Sequence, residues 1–312
     1  MRENYRAIAF LEYGGPEVLQ VMEYPVPDPG EGEVRLAVRA AGVNPIDWKI
    51  RSGAAASFIP VEFPVVPGGD VAGVIDAVGR GVTEFAVGDE VLGSIDFGGC
   101  AEVALAKAKT LTKKPASVPW ELASALPVAA NTALHVLAEL NVREGETIVI
   151  DGAAGGVGTV AVQLARHRGA HVIGTARETN HAYLRSLGAT PVVYGEGLAD
   201  RIRSVAPHGV DAVLDASGRG SLPALIEAAG GTGRVVTIAD FSAAGLGVRM
   251  VSADAEGAAG RIAEAAALAA EGKLTVPIAA AYPLEEAPEA HRVSEAGHVR
   301  GKLVVLPGGK AD

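Results

Sequence analysis

An eight-residue turn, Asp151-Gly152-Ala153-Ala154-Gly155-Gly156-Val157-Gly158, follows the apolar run Thr147-Ile148-Val149-Ile150 and opens a helical period near Val157. Strand, glycine-rich turn and helix in that order constrain this chain more than any other feature. Glycines let the backbone approach a pyrophosphate, and the start of a helix offers unpaired N–H groups at the positive end of its dipole. Gly158 permits close packing of the helix on the strand. The spacing is Ala153-x-Gly155-x-x-Gly158, with alanine replacing the first glycine of G-x-G-x-x-G, so out of context the loop is a weak sign of a nucleotide.

The context strengthens it. From Thr147 onward, apolar runs alternate with helical periods: TIVID, GVGTVAVQLARHRG, AHVIGTA, HAYLRSLG, TPVVY, VDAVLDAS and RVVTIAD. Strand, helix and strand in repetition mean a parallel sheet with helices on both faces. Up to about Lys109 the pattern is different, with short strands between turns, alternation over 33–38 and glycine-bounded runs at 71–78 and 90–92. After about Ser252 an alanine-rich amphipathic helix and Pro277 lead to the run KLVVL, which reads as one more strand. That strand needs a sheet, and its return to the β-rich unit makes the doubly wound part an insertion. The expected fold is therefore α/β: a β-rich domain over 1–119 and 254–312, interrupted by a doubly wound parallel-sheet domain over 120–253. The Gly-Gly-Lys-Ala-Asp tail is expected to fray.

Composition narrows the partners. A net charge of −10 argues against binding the phosphate backbone of nucleic acid, which needs clustered Lys and Arg. Glycine is abundant (40 residues) and aromatics scarce (4%), which favours loops wrapped round a ligand over stacking platforms. The lone cysteine, Cys100, leaves no intrachain disulfide or Cys-rich zinc site and fits a reducing, cytoplasmic setting. The start MRENYRAIAF lacks an apolar signal core, and the least polar stretch is broken by Pro127, Asn131, Thr132 and His135, so no targeting or membrane segment is expected.

The end of the second strand of the doubly wound part selects the nucleotide. An NAD-specific fold usually places a carboxylate there for the ribose 2′-hydroxyl. Here the chain reads Thr175-Ala176-Arg177: Ala176 leaves room, Arg177 offers a cationic fork for a 2′-phosphate, and Thr175 and Asn180 are neutral donors. NADPH is therefore the expected cofactor, the alternative being that Arg177 opens a solvated helix.

The segments VNPIDWKIR, FPVVPGGDVAGVI, VGDEVLG, GGCAEVA, LPVAANTALHVL, DGAAGGVGTVAVQLA and GHVRGKLVV resemble the successive signatures of zinc-independent quinone oxidoreductases of the medium-chain dehydrogenase/reductase superfamily. The resemblance spans nearly the whole chain. It implies a GroES-like catalytic domain interrupted by a Rossmann domain, with NADPH in the cleft. It also implies roles residue by residue. Asn44 and Thr132 lie by the nicotinamide, and Ala154, Gly155, Gly156 and Val157 form the pyrophosphate turn. Thr175, Arg177 and Tyr194, with Asn180, line the adenosine-phosphate pocket, Ile238 and Ala239 pass the carboxamide, and Lys302 reaches the cofactor. The bland alternatives are a turn residue before Pro45 for Asn44, a strand end for Tyr194 and a solvated group for Lys302.

Departures from the related alcohol dehydrogenases matter too. Where those enzymes carry a zinc cysteine and Gly-His-Glu, this chain has Asn44 and Gly68-Gly69-Asp70, and the four-cysteine lobe is missing, so no metal site is expected. Reduction then rests on positioning, with hydride passing from NADPH to a quinone or an α,β-unsaturated carbonyl. Asn44, Asp47 and Arg51 are the catalytic candidates, with Lys49 beside them, although Asp47 and Arg51 read first as a structural pair. His135 and His298 read as packing residues, Cys100 as a small buried thiol, and Trp48 and Phe58 as substrate wall or core. A nucleotide-binding sensor or structural protein of the same fold, without turnover, is the alternative function. A homodimer is expected through the apolar edge segment GLGVRMVSA.

Overall fold

The computed structural model describes residues 3–252 and 255–308. Ala253 and Asp254, at the expected domain boundary and at the end of the expected dimer segment, and the tail from Gly309 lie outside the described residues. The chain divides into two units, splitting after Val128 and again before Ala255.

The first unit opens with β1 (Asn4–Ala9), β2 (Gln20–Pro25), β3 (Glu33–Val43), α1 (Pro45–Arg51), β4 (Asp70–Val78), β5 (Glu90–Ser94), β6 (Val103–Lys107), β7 (Leu111–Lys113) and α2 (Trp120–Ala125). The second unit starts within α3 (Pro127–Glu139). It continues through β8 (Thr147–Asp151), α4 (Gly156–His167), β9 (His171–Thr175), α5 (His181–Ser186), β10 (Thr190–Val192), α6 (Leu198–Val205), β11 (Ala212–Asp215), α7 (Leu222–Ala229), β12 (Val235–Thr237) and β13 (Arg249–Met250). The chain then re-enters the first unit with α8 (Ala258–Ala270), β14 (Ile278–Pro283), α9 (Ala287–Ala296) and β15 (Lys302–Leu306).

In the first unit a seven-stranded sheet runs β14-β15-β3-β4-β5-β7, with β6 also on β3. The KLVVL strand, β15, pairs antiparallel with β3 as its composition demands, so the doubly wound unit is inserted. Apolar side chains fill both sides of the sheet, Ile8, Phe10, Val43, Ile50, Leu303 and Val305 in one cluster and Val34, Leu36, Ile75 and Val91 in another. Each such side chain contributes about 1.5–3 kcal/mol on burial. The unit ends later than the expected residue 119 because α2 packs against β3 and β4.

The second unit is a six-stranded parallel sheet in the order β10-β9-β8-β11-β12-β13, reversing direction of winding between β8 and β11. Val149, Ile173, Val213 and Val235 of the sheet pack on Leu198, Ile202, Leu222 and Leu225 of α6 and α7. Ligands of open α/β sheets bind beyond the carboxyl ends of strands at such a reversal, which here means the ends of β8 and β11.

Candidate active site

In the first unit, β3 lies between β15 and β4, with Leu303 opposite Val43 and Asp70 opposite Gly42. Residues 44, 70 and 302 are thereby neighbours. Asn44 caps α1, Pro45 takes the first helical position where its missing N–H costs nothing, and Asp47 accepts the Asn44 N–H at 2.7 Å. Lys302 Nζ donates to Asn44 Oδ1 at 2.6 Å and to Asp70 Oδ2 at 2.9 Å, and Asn44 Nδ2 donates to the same Asp70 oxygen at 2.8 Å. Asp70 Oδ1 accepts the Val128 N–H at 2.8 Å. Asn44, Asp47, Asp70 and Lys302 are all buried. The sequence reading brought Asn44, Asp47 and Lys302 forward but treated Asp70 only as a missing metal ligand. The signal was an acid directly before the apolar run 71–75, which once buried has to find a cation.

Burial pushes the Asp47 carboxyl up to about 7; the Asn44 N–H pulls it down, nearby Asp70 pushes it up and Lys302 pulls it down. Because the folded value lies above the unfolded one, the folded chain binds the extra proton between about pH 4 and 7. Stability therefore declines as pH rises through that window, at up to about 1.4 kcal/mol per pH unit. Asp47→Asn should flatten this part of the stability profile, read by urea denaturation between pH 4 and 8. An unchanged slope would remove Asp47 as its source.

Arg51 corrects an expectation. It lies at the far end of α1, fully buried, and its Nη2 donates to Glu295 Oε2 at 2.6 Å while Nε donates to the Gly14 carbonyl at 3.2 Å. It pairs with α9, and no Asp47–Arg51 ion pair forms among the described residues. Its guanidinium is thus a tie between helices and does not join the Asn44 cluster. His291 of α9 is buried beside it and held neutral, its pKa pushed down to about 3 by burial first and then by Arg51. Cys100 is buried and its thiol is pushed up by burial and then by Asp47, so it packs as a small side chain. Phe58 is exposed and Trp48 half-buried.

In the second unit, Gly155 caps α4, so Gly156 and Val157 offer N–H groups at the helix start, and Ala154 precedes them, buried. Gly152 holds φ +74, a conformation that side chains rarely adopt, and a Cβ on Gly158 would lie 2.2 Å from the Gly152 carbonyl oxygen. Arg177, exposed after β9, donates from Nε to the Tyr194 hydroxyl at 3.0 Å, which brings two of the adenosine-pocket candidates together. Asn180 closes a one-turn helix, Glu178–Asn180, behind them. Thr175 departs from expectation: fully buried, its hydroxyl donates to Asp151 Oδ1 and accepts the Gly152 N–H at 3.2 Å. It braces the glycine turn from beneath and offers nothing to a 2′-phosphate. Ile238 and Ala239 follow β12, half-buried, and Thr132 is half-buried on α3 with His135 one turn on. Among the described residues no three His, Cys, Asp or Glu side chains gather as a metal ion requires, and no helix is long and apolar enough to cross a membrane.

A GroES-like sheet interrupted by a doubly wound parallel sheet, with a glycine turn opening the first crossover helix, is the architecture of the medium-chain dehydrogenases and reductases. The comparisons agree. Residues 30–116 match the family model of the alcohol dehydrogenase GroES-like domain, and residues 187–305 that of zinc-binding dehydrogenases. The chloroplastic quinone oxidoreductase of Triphysaria versicolor is 33% identical over 97% of this chain and 98% of its own, and human quinone oxidoreductase 33% identical over 96% and 97%. The Coxiella burnetii quinone oxidoreductase structure superposes with a TM-score of 0.88 at 31% identity, covering 97% of this chain and 99% of its own. The Escherichia coli quinone oxidoreductase, complexed with NADPH, does so at 0.87 and 27%, covering 97% and 100%. The chain belongs to the quinone oxidoreductase branch of the medium-chain dehydrogenase/reductase superfamily, and it is an oxidoreductase.

Proposed function

We propose that this oxidoreductase is zinc-independent, uses NADPH and reduces a quinone or an α,β-unsaturated carbonyl compound. The observation that carries the reading is the cation placed among the polar groups of the first unit. Lys302 already donates to both Asn44 and Asp70. Zinc does not fit there: a dication on those oxygens would stand against the ammonium, and an amide with one carboxylate is a poor zinc donor set. A fixed ammonium and amide can instead hold a substrate oxygen as charge develops on it.

NADPH, when bound, supplies hydride from its nicotinamide C4. Gly155, Gly156 and Val157 supply N–H groups for the pyrophosphate, and Arg177 with Tyr194 supplies a cation and a hydroxyl for the 2′-phosphate. Asp47, which holds a proton near neutrality, is the acid closest in chain and space to Asn44 and the best source of the substrate's proton. Thr132, Ile238 and Ala239 would bound the nicotinamide. The NADPH in the Escherichia coli relative supports the choice of cofactor. A single buried cysteine is consistent with a cytoplasmic protein, and the exposed edge strand β13 with a homodimer.

The test is NADPH oxidation against a panel of quinones and enones. Turnover of at least one is expected; tight NADPH binding with no acceptor reduced would replace the enzyme with a nucleotide-binding sensor. Arg177→Ala should weaken NADPH by about tenfold to a hundredfold, the loss typical of charge-assisted hydrogen bonds, and leave NADH nearly unchanged. Equal losses in titrations with the two nucleotides would dismiss Arg177 as the selector.

A further inference from the structure

A chain of hydrogen bonds crosses the carboxyl ends of four parallel strands in the second unit. It starts at the Gly152 N–H, which donates to the Thr175 hydroxyl at 3.2 Å, and Thr175 donates to Asp151 Oδ1. The Ser217 hydroxyl contacts both Asp151 Oδ2 and, at 3.2 Å, Asp215 Oδ1. Asp215 Oδ1 also accepts the N–H groups of Ser217 and Gly218, each at 2.9 Å, and its Oδ2 accepts the Thr237 hydroxyl at 2.7 Å. Thr237 Oγ1 in turn accepts the Ala239 and Asp240 N–H groups at 3.1 and 3.0 Å. One end is thus the glycine turn and the other the 238–240 segment, the two stretches of backbone assigned above to the pyrophosphate and the carboxamide.

Proton bookkeeping within this chain is restrictive. A serine hydroxyl has one hydrogen to donate. Ser217 lies against one oxygen of each carboxylate and has one hydrogen to give, so a hydrogen bond at both contacts requires a proton on one of the carboxyls. Thr175 is committed to Asp151 Oδ1, and Asp215 is already served by three other donors. The arrangement closes without conflict when Asp151 Oδ2 carries a hydrogen and donates to Ser217, which then donates to Asp215.

We infer that Asp151 is a positioning residue that holds a proton at neutral pH and thereby locks the glycine turn and the 238–240 segment together in the arrangement that receives the nucleotide. One negative charge then remains, on Asp215, turned toward three N–H or O–H donors besides Ser217. Loss of the proton would place a second charge at the root of the turn that is to carry a diphosphate, so nucleotide affinity falls as pH rises.

The surroundings favour the protonated form. Burial, the largest influence, holds the Asp151 carboxyl above the ordinary carboxylate range; the Ser217 and Thr175 hydroxyls pull it down, Asp215 pushes it up and Ser221 pulls it down. Other charged groups on the neighbouring elements lie elsewhere. Arg166 and His167 occupy the last turn of α4, Glu146, His171 and Asp211 the amino ends of the strands, and Arg177 and Arg219 are exposed beyond the carboxyl ends. On α5, Tyr183 reaches the Thr159 hydroxyl and His181 the Ala176 carbonyl, while on α7 Glu227 binds Arg203. Asp240 caps Ser242.

The inference rests on the second unit binding NADPH, and two measurements separate its failure from that of the functional reading. Infrared spectroscopy of the full chain without nucleotide at pH 7 should show, beside the band of Asp47, a second protonated-carboxyl band that Asp151→Asn removes and Asp47→Asn leaves in place. In fluorescence titrations Asp151→Asn, whose amide can still donate to Ser217 and accept from Thr175, should bind NADPH within about threefold of wild type. Asp151→Ala, which cuts the chain, should lose about tenfold or more. Absence of that second band, or an Asp151→Asn variant as weak as the Ala variant, overturns the inference. The second band in a chain that binds no NADPH would leave the protonated pair standing and sink the cofactor assignment instead.

Discussion

Lys302→Met should lower the unfolding free energy by about 3–5 kcal/mol, the cost of leaving one member of a buried ion pair without its counter-charge. Asp70 has 0% exposure and Lys302 4%, so neither can turn to water. Methionine replaces the stem of the lysine but not its ammonium, and among the described residues Asp70 keeps the Asn44 amide and the Val128 N–H. Those two donors compensate part of a carboxylate's lost hydration, which is why the estimate stays well below the cost of burying a bare ion. The double variant Lys302→Met with Asp70→Asn removes the stranded charge and should recover most of the loss. A guanidinium titration of the three proteins decides it: a single-variant loss under about 1 kcal/mol would mean that Lys302 swings out and that the pair is not the fixed cation the functional reading requires. The same variant tests chemistry through a different readout, since removing a group that stabilises developing charge lowers kcat and leaves NADPH affinity in place.

That pair was only half legible in the chain. Local pattern marks β3 as a strand by its alternation, β4 by its glycine-bounded apolar run and β15 by the run KLVVL. It stopped β3 at 38, however, since Ala40-Ala41-Gly42-Val43 breaks the alternation. The structure continues the strand to Val43 because those residues are buried on both faces, between paired strands and packed α2. Residue 302 stands 232 positions from residue 70, and no local rule brings them together. The need of KLVVL for a sheet to join, and the family resemblance that takes both Asn44 and Lys302 to the cofactor, point that way.

Hydroxyl and guanidinium groups were misread for a related reason. Thr175 and Arg51 were assigned from what their side chains can do, whereas direction decides what they do. Thr175 ends β9 facing the buried Asp151, and Arg51 leaves α1 toward α9, so each is consumed inside its own unit. Arg177 and Tyr194, at the exposed end of the same sheet, hydrogen-bond to each other, and their role toward a nucleotide rests on the titration proposed above. The direction of a buried side chain is set by the packing around it, and no local pattern in the sequence states it.

Gly158→Ala puts two opposing effects into direct competition. In an exposed helix, alanine is favoured over glycine by about 0.8–1.0 kcal/mol. Here the new Cβ would sit 2.2 Å from the Gly152 carbonyl oxygen and 2.7 Å from the Ala153 Cα. Both are backbone atoms in a turn pinned by the Gly152 φ of +74 and by the Thr175 hydroxyl, so they cannot give way as a flexible side chain would. Overpacking of this kind costs about 1–3 kcal/mol and should outweigh the propensity gain. The helix would have to move off the strand, and with it the N–H groups at its start. The expected result is a clear loss of stability and a drop in nucleotide affinity of about a hundredfold, at the top of the range for Arg177→Ala because every pyrophosphate contact shifts at once. Gly155→Ala is the internal comparison. Its Cβ would meet the Gly152 oxygen at 3.3 Å, a contact relieved by a few tenths of an ångström, and its φ of −77 suits any side chain. It should lose far less in the same fluorescence titration. Were the two alanine variants equal, or Gly158→Ala the more stable, the close approach of α4 to the end of β8 would not be what shapes the nucleotide turn.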